Sequence, residues 1–171
     1  MRSFVLHQVT QDNGPADEIQ VILFVYRIHP QNILVPYRGL SARPREKAFF
    51  VGKLAEAFGA AVTVFHTPEP PTSFFRGVIQ GAGTMKPLAG EMDRFLKHLE
   101  EFRLSPETRL GRGPAGRAIT MEAAAQRNDL IIMGASERGL WESLVSGNPV
   151  EQVLRETPCN LIILLPRLKP A

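Results

Sequence analysis

The sequence predicts an α/β fold: a five-stranded parallel open sheet with helices on both faces. Three observations lead there. Short apolar runs alternate with stretches of helical periodicity along most of the 171 residues. Several of the short runs are rich in β-branched residues, which suit a pleated surface. The run at 130–133 (LIIM) is apolar without alternation, as expected for a strand covered on both faces. A repeated β-α-β order implies right-handed crossovers between parallel strands.

The first strand of this sheet is expected at 32–36 (NILVP), ending in a turn at Tyr37, Arg38 and Gly39. Pro44 suits the first turn of a helix, and Ala48, Val51, Leu54, Ala55 and Phe58 follow at helical spacing, with Gly59 as the C-terminal cap. The run 61–65 (AVTVF) is the second strand. Residues 67–90 hold four prolines and four glycines and read as a long excursion with little regular structure. Helical spacing returns with Met92, Phe95, Leu96, Leu99 and Phe102. A weak strand follows at 108–110, then a helix over 115–126. The strand 130–133 ends at Gly134. A loop to Gly147 leads into Asn148-Pro149, a strong start for a helix reaching about Arg155. The run 161–165 (LIILL) is the last strand.

Residues 1–30 form an extension ahead of a domain spanning 31–167. Two β-prone runs, 3–10 and 19–28, are separated by Gln11, Asp12, Asn13, Gly14 and Pro15. Two readings stand equally: a hairpin that covers a sheet edge or pairs with another chain, or a leader without fixed structure.

Composition excludes several classes. The longest apolar run, 21–26, is too short to cross a bilayer, so no membrane insertion is expected. With one cysteine, Cys159, there is no intrachain disulfide and no Cys-rich metal site, so a cytoplasmic location is expected. The isoelectric point near 9.4 suggests nucleic acid, but 20 basic residues face 17 acidic ones, and that partner is not expected.

In open parallel sheets ligands sit beyond the carboxyl ends of the strands, beside the point where the strand order reverses. That places residues 36–41 and 134–147 around any ligand. Several motifs compete for attention. Gly111-Arg112-Gly113-Pro114-Ala115-Gly116 matches G-x-G-x-x-G ahead of a helix, with Asp129 at a ribose-binding distance. Asp129, however, precedes its strand instead of following it, and a glycine-rich turn is the better reading. Gly134-Ala135-Ser136-Glu137-Arg138-Gly139 has a serine-elbow look, but its spacing is one residue too long. All four histidines (His7, His29, His66 and His98) precede it, against the chain order of an α/β-hydrolase triad. No metal-ligand spacing is present. His66 ends the second strand and could line the ligand cleft, although a core or surface residue is the better reading; Trp141 reads as a packing or dimer contact. Arg43, Arg45 and Lys47 read as a solvated basic face.

The strand ends identify a family. Residues 134–165, GASERGLWESLVSGNPVEQVLRETPCNLIILL, resemble the C-terminal third of universal stress protein domains. That family shows a DLIVMG strand, a G-x2-G-x9-G-[ST] loop, a V-x-E-x-V-L-R helix and a PCPVLVV strand. Residues 129–134 match the first; Val150, Glu151, Val153, Leu154 and Arg155 match the helix; Pro158-Cys159 matches the last turn. ILVPY, Gly39, Ser41, the helix to Gly59 and AVTVFH resemble the family's opening β-α-β unit. The resemblance covers about residues 32–166 and implies a Rossmann-like sheet of the adenine nucleotide alpha hydrolase type. It also implies a homodimer and a stress-response module that binds ATP or AMP without being an enzyme.

The implied cofactor-binding residues are Pro36, Tyr37, Arg38, Gly39, Met133, Gly134, Ala135, Glu137, Arg138, Gly147, Asn148 and Pro149; no catalytic or metal-binding residue is implied. Three departures stand out. Glu137 replaces the loop's second glycine, Asn148 its serine or threonine, and Arg38 the aspartate that contacts the nucleoside. A glutamate blocks close approach of backbone to phosphate and repels it, and Pro149 removes a helix N-terminal N–H. Weakened ATP binding is therefore expected, with no cofactor firmly implied and an Arg38–Glu137 ion pair filling part of the cleft. Two alternatives stand beside this: a regulatory domain related to those attached to membrane transporters, which carry loops resembling GAS-x-R, and a member that retains ATP or AMP.

Overall fold

The computed structural model describes residues 19–24, 29–37, 44–67, 85–134 and 149–166. Among them are six strands and four helices: β1 (Ile19–Phe24), β2 (Asn32–Tyr37), α1 (Pro44–Phe58), β3 (Ala61–His66), α2 (Met85–Glu100), β4 (Glu107–Leu110), α3 (Ala115–Ala125), β5 (Leu130–Gly134), α4 (Pro149–Glu156) and β6 (Asn160–Pro166). The spatial order is β1-β6-β5-β2-β3-β4. Strands β2 to β6 are mutually parallel, as expected, and the chain order reverses between β2 and β5.

Alternation along each central strand builds two core layers, because successive side chains leave opposite faces of a sheet. Ile33, Val35, Tyr37, Ile132 and Ile162 pack beneath α1 and α2 with Val51, Phe95 and Leu99. Leu34, Ile131, Met133, Leu161 and Ile163 pack on the other face, beneath α3 and α4, with Ile119 and Val153. Each such side chain contributes roughly 1.5–3 kcal/mol on burial.

Helix ends follow local chemistry. Gly59, at φ 63°, ends α1, and the Ala60 N–H donates to Ala55 O at 3.0 Å, closing a Schellman turn. Helix α3 ends the same way, with Asn128 N–H on Ala123 O at 2.9 Å and Arg127 N–H on Ala124 O at 3.2 Å. Here the left-handed position belongs to Arg127, φ 52°, where a glycine would be relaxed.

Three sequence expectations change. A sixth strand joins the sheet: β1 pairs antiparallel with β6, Ile19 opposite Pro166 through Phe24 opposite Leu161. Part of the leader thus covers a sheet edge; its first β-prone run, 3–10, lies outside the described residues, so the hairpin itself is not described. Helix α2 begins at Met85 inside the span expected to be irregular, with Pro87 in its first turn. Proline is compatible there because first-turn N–H groups have no intrahelical acceptor. Strand β2 continues through Tyr37, expected in a turn, because its register with His66 of β3 and its buried ring extend the ladder. The far edge, β4, is blunted by charge: Arg109 bridges Glu107 at 2.7 Å and Glu122 at 3.1 Å.

Candidate functional site

The reversal of strand order sets the carboxyl ends of β2 and β5 side by side. Ile33 pairs with Leu130 and Leu34 with Ile131, so Pro36-Tyr37 and Met133-Gly134 reach the same sheet edge. Helix α1, which follows β2, and helix α4, which follows β5, pack on opposite faces of the sheet, which opens a crevice between the neighbouring strand ends.

Five of the expected site residues lie at or beside this edge. Gly134 is exposed, and a Cβ built on it would meet no atom of the described residues within 4 Å, so its backbone stands clear of them. The Tyr37 and Met133 side chains turn into opposite core layers and are 1% and 5% exposed. Both can offer a ligand backbone only. The Pro36 carbonyl points toward α1, where it accepts a hydrogen bond. Pro149 begins α4, its Cα 3.1 Å from a Cβ built on Gly116 of α3. Arg38, Gly39, Ala135, Glu137, Arg138, Gly147 and Asn148 lie outside the described residues, as do Ser136, Trp141 and the expected Arg38–Glu137 ion pair.

Two residues not named by the site expectation hold the end of β2. The Lys47 Nζ, in the first turn of α1, donates to Pro36 O at 2.8 Å. His66, closing β3, has Nδ1 2.8 Å from Tyr37 O; a carbonyl can only accept, so Nδ1 carries the proton. The Tyr37 ring stacks on Phe95 of α2, centroids 4.9 Å apart at 23°. The Lys47 amine sits 5.7 Å from each of those two ring centroids. Lys47 is 5% exposed, so the solvated basic face expected at the start of α1 loses this member; Arg45 remains exposed and Arg43 is not described. Burial, with no charged neighbour contributing, pulls the amine from 10.5 down to about 7. A signal existed in the sequence: Lys47 stands four residues before Val51 and eight before Ala55, in phase with the buried stripe.

The glycine-rich segment between β4 and α3 has packing explanations. A Cβ on Gly111 would collide with the Phe65 ring, and one on Gly116 would lie 2.7 Å from Gln152 Cβ. Gly113 takes φ 86°. Asp129 sits at the amino end of β5 and closes the sheet there. Its carboxylate accepts from Gln31 N–H at 2.8 Å and Asn32 N–H at 3.2 Å, and its carbonyl from the Asn160 side-chain amide at 3.0 Å. It belongs to the edge opposite the crevice, which removes it as a ribose ligand.

At that amino edge lies a cleft of about 420 Å³ lined by Asn32, Thr63, Arg103, Glu107 and Asn128, among others. The buried Asn128 Oδ1 has no hydrogen-bond partner among the described residues. Cys159 is half-buried. Burial first, and Asp129 next, push its thiol up to about 11 against the lowering effect of the Thr157 hydroxyl, so it is a poor nucleophile. Among the described residues no three His, Cys, Asp or Glu side chains gather as a metal site. No described helix is long and apolar enough to cross a membrane.

Comparison with known proteins agrees with this geometry. A model of the universal stress protein family matches residues 30–164. A curated relative from Thermus aquaticus, described as a universal stress protein in the QAH/OAS sulfhydrylase 3' region, is 26% identical over 144 residues, 78% of this chain and 98% of its own. The chain is also similar to a solved universal stress protein in complex with cAMP (TM-score 0.59, 18% identity, 79% of this chain and 96% of that one). The universal stress protein from Archaeoglobus fulgidus in complex with dAMP gives a TM-score of 0.57 at 16% identity, covering 80% and 99%.

Proposed function

The chain belongs to the universal stress protein family, and from that premise we propose that it is a non-catalytic regulatory module of stress response with weakened affinity for ATP. An adenine mononucleotide remains its ligand class, seated at the carboxyl ends of β2 and β5. Support comes from the open backbone at Gly134 beside the reversal of strand order, and from the cAMP and dAMP bound by structurally similar proteins. The observation that carries the weakening is in the sequence: Glu137 and Asn148-Pro149 stand where phosphate would meet bare backbone and a helix N-terminus. A carboxylate there adds repulsion as each phosphate is added, so ATP suffers more than AMP.

The same reading gives a cytoplasmic homodimer with a domain over 31–167. Strand β1 already covers the β6 edge, so the dimer uses another surface.

Titration calorimetry with ATP and AMP tests the proposal. Expected are AMP binding, weaker ATP binding, and a gain in ATP affinity for Glu137→Gly. A micromolar ATP constant in the unaltered chain would refute the weakening.

A further inference from the structure

Among the described residues Lys47 is the single buried charged side chain. Its surroundings are specific: the Pro36 carbonyl and the Tyr37 ring of β2, and the Phe95 ring of α2. The nearest titratable group on β3 is His66, which holds the next carbonyl, that of Tyr37. On its own helix the flanking Arg45 and Glu46 are exposed or half-exposed, and among the described residues no carboxylate of α2, β2 or β3 pairs with the amine. Two nitrogens from two different elements therefore grip two consecutive carbonyls at the point where β2 becomes the first ligand loop.

We propose that Lys47 and His66 are positioning residues for the crevice: they fix the direction in which the chain leaves β2, and the site takes up a proton on Lys47 as it binds an anionic nucleotide. This rests on the nucleotide reading above. The physical reason is desolvation. An amine held away from water, with no carboxylate partner among the described residues, keeps its proton weakly, which agrees with its lowered proton affinity. A phosphate seated over Gly134, at the end of the strand beside β2, adds a negative charge and favours the charged amine. By linkage, affinity falls as the pH rises, because the proton must then be taken from a scarcer supply.

The test is calorimetry with AMP between pH 7.5 and 9.5, where its phosphate no longer titrates, in buffers of different ionisation heat. Expected are net proton uptake and about a tenfold loss of affinity across that range. Lys47→Met should bind with neither proton uptake nor pH dependence. For His66, the Gln variant, which keeps a donor, should bind AMP like the parent, whereas the Leu variant should weaken it at every pH. Unchanged pH dependence in Lys47→Met, or equal binding by both His66 variants, would overturn the proposal.

If AMP binds at no pH, the nucleotide reading fails, and the carbonyl grip is judged separately on the lysine 13Cε resonance missing from Lys47→Met. A Lys47 signal titrating near neutrality, with the Tyr37 and Arg38 amide resonances moving in step, supports the grip. A signal titrating with the surface lysines, or amides that stay still, overturns it.

Discussion

Replacing Lys47 by methionine gives a stability change whose sign depends on pH. Each decade of proton affinity is worth about 1.4 kcal/mol. Holding the amine near 7 instead of 10.5 thus costs the folded protein about 5 kcal/mol whenever the amine is charged. The unfolded chain binds the extra proton between those two values, so wild-type stability rises with pH across that window, by up to about 1.4 kcal/mol per pH unit. Below pH 7 the whole penalty is present; above about 10.5 it is gone. Methionine holds the volume and removes the charge, but it leaves the Pro36 carbonyl without its 2.8 Å donor, a loss of about 1–3 kcal/mol. Urea unfolding at pH 6 should therefore find the variant more stable by about 2–4 kcal/mol. At pH 10 it should be less stable by up to about 2 kcal/mol, with the curves crossing near pH 9. A variant destabilised by the same amount at every pH would refute the reasoning, because the amine would then carry no desolvation penalty.

Other outcomes follow from packing and backbone. Arg127→Gly relaxes a left-handed helix end at φ 52° and should add about 0.5–1 kcal/mol in thermal or urea unfolding. Gly116→Ala places a methyl 2.7 Å from Gln152 Cβ and 3.1 Å from Pro149 Cα, and should lose about 1–3 kcal/mol as α3 and α4 are pushed apart. The Cys159 thiol, raised to about 11, should alkylate at pH 8 at least tenfold more slowly in the native protein than in urea, followed by mass spectrometry.

The candidate site was only partly legible in the sequence. Glu137 and Asn148-Pro149 signal a disturbed phosphate cradle because the family spacing fixes their places, whatever they touch. Lys47 was misread as part of a solvated cluster because its neighbours Arg43 and Arg45 are basic, although its phase with Val51 and Ala55 pointed inward. Charge adjacency is a property of the chain, whereas burial depends on what lies opposite, and Phe95 arrives from 48 residues further along. Asp129 shows the same division. Its position ahead of the apolar run already argued against a ribose contact, yet only the pairing of β5 between β2 and β6 gives its carboxylate the Gln31 and Asn32 amides.

By itself the sequence determined the parallel α/β sheet, the order of its elements and the end of α1, because apolar periodicity and glycine or proline preference act over a few neighbouring residues. The tertiary structure alone decided that Ile19–Phe24 lies antiparallel along β6, that Lys47 is buried against the Pro36 carbonyl and the Tyr37 and Phe95 rings, and that α2 starts at Met85. Those outcomes depend on contacts between residues far apart in the chain, and local preference carries no record of which distant surface will be there to cover a side chain or complete a strand's hydrogen bonds.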